Sequence, residues 1–386
     1  MAKWFYGLAT PATGTAHAPQ VPGGVFMELP SARSRSLSLR CDPAASDEAA
    51  FTLSGSAPEG AFIGELDTDL VVQRDDETLF RGRIGPTGDS LDAIRHDAQF
   101  TALSYRELLR RRALLTAGTL SFTTVDQALI VWSMMDYTQG LPGGYLGIGR
   151  GAGAAGGGSD RTVTYQKTDY IYDNIVALAQ MDNGFDWNVT CEEGPADLRL
   201  DIFPGGLLED HGVILEWGDN QVGKVTRSFD PSTYADVLYL TGASSAGLTP
   251  VTVTKAGIAT LPEGRWESVV STSEVIQLAL NLRGTFLAND VMRLLATYTV
   301  ELKPGAWKGP DHIWPGDQLR FRLRTTRLDV NLLYKVTQLD IALGDAGDER
   351  VTLTLGRLPP SLKRMIRTVQ LKAGLNGWQL GGPPIR

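Results

Sequence analysis

Cysteine is nearly absent: Cys41 and Cys191 are the only two in 386 residues. They fall in different candidate domains, which excludes a disulfide scaffold and leaves too few thiols for a cysteine-based zinc site. Histidine is scarce as well. His17, His96, His211 and His312 are widely scattered, each read as lying in a loop or at a strand end, and their spacing assembles no metal or catalytic cluster. No apolar run approaches the roughly eighteen residues of a membrane span; the stretch around Ala128 to Met135 is far too short. The opening MAKWFYGLATPATG has one lysine and no sustained apolar core, unlike a secretory signal. These features fit synthesis in a reducing cytoplasm. Positive charge is in deficit: a net charge of −8 argues against a general nucleic-acid binder. From Gly356 to Arg386 the missing sign is reversed, because Arg357, Lys363, Arg364, Arg367, Lys372 and Arg386 face no acid at all. The chain reads as an acidic body with a basic tail.

What is present is ordinary for a folded soluble chain, with 42% hydrophobic and 21% charged residues. Its length suits roughly two to four domains. The 43 glycines and 20 prolines point to many turns between short strands.

The clearest pattern lies between Phe62 and Leu115. Leu70 and Val72 alternate with Val71 and Gln73, Asp75-Asp76-Glu77 makes a polar turn, and Phe80, Gly82 and Ile84 alternate with arginines on the way back. That is a β-hairpin with one buried face. A Pro86-Thr87-Gly88-Asp89 loop, a third alternating run through Ala98, Phe100 and Ala102, and a short Arg-rich helical stretch from Arg106 to Leu115 follow. Leu37-Ser38-Leu39 and Phe51-Thr52-Leu53 alternate as earlier strands, whereas residues 1–36 have no durable period and read as an extended arm with one strand near Val25 to Met27.

Beyond Thr119, Thr124 and Gln127 have the spacing of a capping box. Ala128, Leu129, Trp132 and Met135 then recur at helical spacing. The glycine-dense stretch 141–160 costs too much entropy to order unaided and reads as a flexible loop. Ile171, Ile175, Leu178 and Ala179 mark a second helix closed by Asn183-Gly184, and Phe185 to Val189 and Leu198 to Ile202 read as paired strands. Further strands are expected at Val213 to Trp217, Val222 to Phe229, Val237 to Thr241, Tyr298 to Leu302, Leu319 to Leu323, Leu332 to Leu343 and Val351 to Leu355. Between them, Ser271 and Glu274 form another capping box for a helix carrying Val275, Leu278, Ala279 and Leu282, which Gly284 interrupts.

The order of elements in 62–115, the phrase DNIVALAQMDNGFDWNV, the run GDN…FDPSTYADVLYLTGA and the turn IWPGDQLRFR together resemble siphophage tail hub proteins, the trimeric baseplate hubs related to the central hub of contractile tails. The resemblance covers about residues 37 to 356. It implies a mainly β chain with α+β insertions: an N-terminal arm (1–36), a first hub-type β-barrel (37–115), a smaller α+β domain (116–212), a second barrel (213–356) with a helical insert at about 272–297, and the basic tail (357–386). It also implies a homotrimer at a virion tail tip, made in the bacterial host, without cofactor, metal or catalytic residues. Implied partners are a distal tail or tail tube protein, a tape measure protein and downstream tip or fibre proteins. DNA would pass through the lumen without specific binding. Two other readings stay open, a six-fold distal tail ring protein and a tail-associated cell-wall hydrolase.

Motifs with chemical potential are weak. Gly151 to Gly156 has the G-x-G-x-x-G spacing, but glycines precede it and Gly-Gly-Ser follows, where a dinucleotide site needs a strand and a helix. Gly218 to Lys224 imitates a phosphate loop, yet Val225 replaces the magnesium-ligating hydroxyl, and a β-turn fits better. The carboxylate pairs Asp75-Asp76, Glu192-Glu193 and Glu209-Asp210 all sit in polar turns. Arg106, Arg110, Arg111 and Arg112 form the densest basic cluster of the body, and on a short helix they cover more than one face. That suits a solvated surface, a partner contact or a cap on the barrel. In the tail, Leu362, Met365, Ile366 and Val369 recur at helical spacing beside Lys363, Arg364 and Arg367, with Lys372 and Trp378 beyond, as in a segment that docks on an acidic neighbour.

Overall fold

The computed structural model describes residues 2–9, 25–64, 66–91, 96–114, 118–142, 144–181, 184–191, 198–204, 211–219, 221–229, 234–242, 247–255, 266–271, 277, 280–281, 284, 288, 292, 296–344 and 348–356. His17 and the tail residues Lys363, Arg364, Arg367, Lys372 and Trp378 lie outside them, as does Glu274 of the second expected capping box.

The protein is mainly β. Its first strands are β1 (Trp4–Ala9), β2 (Val25–Glu28), β3 (Arg33–Arg40), β4 (Glu48–Ser54), β5 (Asp69–Arg74), β6 (Glu77–Leu91) and β7 (His96–Ser104). An α+β unit follows, with α1 (Arg106–Arg110), β8 (Leu120–Asp126), α2 (Gln127–Gln139), β9 (Ile148–Arg150), β10 (Asp160–Tyr165), α3 (Ile171–Ala179), β11 (Phe185–Cys191) and β12 (Leu198–Pro204). The last part holds β13 (Ile214–Glu216), β14 (Val222–Phe229), β15 (Val237–Thr241), β16 (Val251–Thr254), β17 (Glu267–Ser271), β18 (Ala296–Leu302), β19 (Gln318–Arg324), β20 (Asp329–Leu343) and β21 (Glu349–Leu355).

Thirteen of these strands form one curled sheet in which the order β14-β18-β21-β20 runs on into β3-β4-β7-β6-β5-β1-β2, with β19 and β13 branching from β20. Two halves of this sheet repeat each other. The order β3-β4-β7-β6-β5 matches β14-β18-β21-β20-β19 strand for strand, and the central members β6 and β20 are both 15 residues long; beyond them the halves differ, β1 pairing antiparallel with β5 and β13 parallel with β19. The register repeats too. Phe51 stands opposite Phe100 in the first half, as Val300 stands opposite Leu353 in the second. Each long strand carries a bulge beside a fully buried residue, Ile84 in β6 and Val336 in β20. The chain thus contains two copies of one half-barrel.

Alternation explains the core of each half. In β4, Ala49, Phe51 and Leu53 turn inward, and in β18 Tyr298, Val300 and Leu302 do the same. The Phe51 and Phe100 rings stack at 5.2 Å. Burying each large apolar side chain contributes about 1.5–3 kcal/mol. Because β3 pairs antiparallel with the C-terminal part of β20, from Arg40 opposite Gln338 to Arg35 opposite Leu343, the two cores merge into one cluster.

Several expectations change on inspection. The arm contributes β1, whose Tyr6 and Leu8 are core residues, because WFYGLA alternates as a strand and pairs with β5 along its length. The expected Pro-Thr-Gly-Asp loop is strand: β6 passes through it, Thr87 facing Phe100 and Asp89 facing Ala98. The bulge after Ile84 absorbs the proline, which has no N–H to give the ladder. Asp75 and Asp76 do form the two-residue turn of the β5–β6 hairpin, both with positive φ (51° and 68°) as a type I′ turn requires. Val237 to Thr241 lies outside the large sheet, in a small sheet ordered β16-β15-β17. Leu238 and Leu240 there pack with Leu280 and Ala288, so the insertion between β14 and β18 begins well before residue 272. Gly284 is helical instead of a break; a Cβ there would sit 3.0 Å from Val251, so its bare backbone lets helix and sheet approach closely.

Candidate assembly surface

The α+β unit docks on the large sheet through charged groups. Asp69 of β5 is fully buried, 2.7 Å from Arg83 Nε and 3.6 Å from an Arg81 nitrogen, and accepts a 2.7 Å hydrogen bond from the Tyr105 hydroxyl. The arginines that alternate with Phe80, Gly82 and Ile84 therefore do not face solvent. They neutralise a carboxylate on the covered side of the sheet. Arg106, only 2% exposed, reaches Asp47 at 3.3 Å, donates to the Asp42 and Arg40 carbonyls and lies over the Trp187 ring. Burial raises the Asp47 carboxyl above its usual range, with the Arg106 guanidinium opposing that rise. Lys335 of β20 pairs with Asp186 of β11 at 2.7 Å, a third clamp between sheet and unit.

Beside these clamps lies a cavity of about 280 Å³, lined in part by Cys41, Ser104, Arg106, Asp186 and Trp187. Burial, reinforced by the Asp186 carboxylate, pushes the Cys41 thiol up to about 11, which favours the protonated thiol near neutral pH. Ser104 Oγ and Trp187 Nε1 lack a hydrogen-bond partner among the described residues, and the space is sufficient for bridging water. Among the described residues no group of three or more His, Cys, Asp and Glu could hold a metal, and no helix is long and apolar enough to cross a membrane.

Each arginine of the basic cluster in the body has a place. Arg110 pairs with Glu107 at 2.7 Å and lies 4.0 Å over the Tyr172 ring, yet is exposed. Arg111 is exposed. Arg112 turns inward and donates to the Gly144 carbonyl, fastening the start of the glycine-rich stretch. Tyr145 and Tyr170 are exposed beside it, since Ala113 bridges to Tyr170. Sequence spacing had not joined these tyrosines to the arginines.

The glycine-rich stretch is built, not free. Residues 148–150 form β9, parallel to β12. Asp201 accepts from the Ala152 amide at 2.7 Å, and Asp126 accepts from those of Gly157 and Gly158 at 3.0 and 2.7 Å. Asp126 also caps α2 through the Ala128 amide, displacing the expected Thr124–Gln127 box; Gln127 accepts from Arg161 instead. Two carboxylates supply the acceptors that the glycine amides need. The G-x-G-x-x-G run follows a strand but leads into a turn, and its Gly153 presses its backbone against Ile202. Gly218 has φ 97° in the turn between β13 and β14, as the β-turn reading requires.

Of the other histidines, His96 pairs with Asp89 at 3.1 Å, and His211 approaches Asp317 at 3.6 Å. Burial, with Lys308 and His211 nearby, lowers His312 below the ordinary imidazole range.

In the large sheet, besides the outer sides of β2 and β13, two further strand edges have no neighbour among the described residues. β14 has a neighbour only on the β18 side, and its residues from Thr226 to Phe229 are exposed. β6 is flanked by β5 only as far as Arg83, so along Gly88 to Leu91 it has the β7 neighbour alone. Leu91 is 71% exposed and Phe229 37%. An unpaired edge of this kind is a template for another strand.

No family model matches the sequence, and no curated protein matches it. Solved structures do share the fold. A 43 kDa tail protein of prophage MuSo2 from Shewanella oneidensis aligns with a TM-score of 0.59 at 12% identity over 93% of this chain and 98% of that one. The tail protein from Neisseria meningitidis MC58 gives 0.54 at 10% identity, covering 96% and 99%. Prophage tail protein gp18 from Listeria monocytogenes EGD-e gives 0.53 at 12% identity, covering 94% and 98%. The chain shares the fold of these tail proteins over 93–96% of its length.

Proposed function

We propose that this chain is a non-enzymatic structural hub of a phage tail tip, a homotrimeric ring around the DNA channel. The observation that carries the reading is the internal duplication. Three copies of a chain with two equivalent half-barrels present six equivalent units, so a three-fold ring can match a six-fold tail tube on one side and a three-fold tip on the other. A six-fold distal ring would need only one such unit per chain. The fold shared with three tail proteins supports a place in the virion.

In this reading the two halves correspond to barrels at about 37–115 and 213–356, joined at the β3–β20 seam. The α+β unit 116–212 projects from them. Its exposed Arg110 and Arg111, with Arg112 fastening the loop behind them, meet acidic neighbours. Lys363, Arg364, Arg367, Lys372 and Trp378 of the tail do likewise. Those neighbours are a distal tail or tube protein above, a tape measure protein within and tip or fibre proteins below. The acidic excess of the body keeps passing DNA from sticking, since phosphate attraction comes from basic residues. Zymography on peptidoglycan tests the non-enzymatic role. Clear lytic activity of the purified chain would overturn it.

A further inference from the structure

The seam inside the chain predicts the seam between chains. β3, the outer strand of the first half, pairs with the C-terminal part of β20. The duplication makes β14 the counterpart of β3, and β6 the counterpart of β20. Among the described residues of one chain, β14 and the C-terminal part of β6 are the two members without that partner. Six strands separate them in the strand order of the sheet, and they are not neighbours within a copy.

We infer that β14 of one copy pairs antiparallel with Gly88–Leu91 of β6 in the next copy, repeating the β3–β20 seam and closing the ring. This rests on the trimeric hub reading and assigns its interface. The repeat fixes the register. Ser36 faces Ala50 in the first half, as Thr226 faces Thr299 in the second, and Ser36 faces Ala342, whose counterpart in β6 is Ser90. Thr226 is therefore set opposite Ser90. The neighbouring rows then place Val225 opposite Leu91, Arg227 opposite Asp89 and Ser228 opposite Gly88.

Nothing in the alignment was chosen for chemistry, yet the chemistry agrees. Arg227 meets Asp89, an opposite-charge cross-strand pair. Leu91, among the most exposed apolar side chains of the protein, meets Val225, which is already partly packed on the core. Phe229 falls at the end of the same row and is covered by the incoming β6. All lie on the core side of the sheet, so the apolar cluster that already crosses the β3–β20 seam continues into the next copy. Both edges also lose their free backbone groups, which removes the aggregation hazard of two open strands.

The test is directed cross-linking in the assembled oligomer. Ser90→Cys with Thr226→Cys, both exposed positions, is expected to give dimers and covalently closed trimers on mild oxidation, separable on a denaturing gel without reductant. Either substitution alone, or Ser90→Cys with Lys224→Cys two residues out of register, is expected to give little. Charge reversal supplies the second arm. Asp89→Arg or Arg227→Asp is expected to weaken trimers at least about threefold, and the double reversal to restore them. Trimers that form normally but fail to cross-link and ignore both reversals would overturn this edge assignment while leaving the hub reading standing. A chain that stays monomeric under all conditions would overturn both.

Discussion

Arg74 and Glu349 are 275 residues apart in sequence and 3.2 Å apart in space, with both side chains largely buried. The Arg74 guanidinium also lies 4.7 Å over the Trp307 ring and donates to the Trp307 carbonyl, while Glu349 accepts from Trp4 Nε1. One ion pair thus ties β5 and β1 of the first half to β21 and the β18–β19 connection of the second. It adds a polar tie to the β3–β20 seam and the shared core that already join the two half-barrels.

Removing Arg74 leaves the buried Glu349 carboxylate without its counterion, and removing Glu349 leaves Arg74 only the exposed Asp75 at 3.5 Å. Arg74→Ala or Glu349→Ala is expected to destabilise the protein by about 3 kcal/mol, read as a fall in the urea midpoint. Arg74→Met with Glu349→Leu should recover most of that loss. Single variants that unfold like the parent would show that the halves hold together without this contact.

Gly153 has φ +66°, and a Cβ there would stand 1.8 Å from the Ile202 carbonyl oxygen. Gly153→Ala is expected to cost about 1–3 kcal/mol and to loosen the β9–β12 pairing, visible as faster amide exchange at Gly151 and Ile202. Gly118→Ala, where a Cβ meets nothing within 4 Å, should stay within about 0.5 kcal/mol of the parent. Equal effects at both sites would contradict the account of the glycine-rich stretch as packed backbone.

His312 is lowered by burial, so its folded form prefers the neutral ring. The unfolded chain then binds more protons than the folded one as pH falls below about 6.5, and stability drops through that window. His312→Gln should flatten the acid limb of a stability–pH curve between pH 7 and pH 5 while leaving the alkaline side unchanged. An unaltered curve would place the acid sensitivity elsewhere.

Strand positions were legible wherever one face is buried and the other is not. β4, β7, β18, β19 and β21 follow their alternation almost residue for residue. In the α3–β11 passage the strand was equally plain, since Phe185, Trp187 and Val189 alternate, whereas the helix ends at Ala179 with Gln180 as its cap, ahead of the expected Asn183-Gly184, and Asn183 lies outside the described residues. Failures came where long-range partners overrule local chemistry. Pro86 and Gly88 signal a turn, yet pairing with β7 keeps them in strand. Glycines 151–158 signal disorder, yet Asp126 and Asp201 hold their amides from distant positions. Of the candidate surface, Arg110 and Arg111 were picked out by charge density alone, and both are exposed. The open edges were not, because Leu91 and Phe229 look like any other strand-end hydrophobic until the duplication shows which partner each lacks. An internal comparison of the strand lengths and bulges around Ile84 and Val336 is the signal that could have revealed them.

The most direct test is the subunit copy number, by native mass spectrometry of assembled tail tips. Three copies in a closed ring is the predicted result, giving six half-barrels around the channel. Six copies would move the chain to a distal ring position, and an isolated monomer would contradict the hub account altogether.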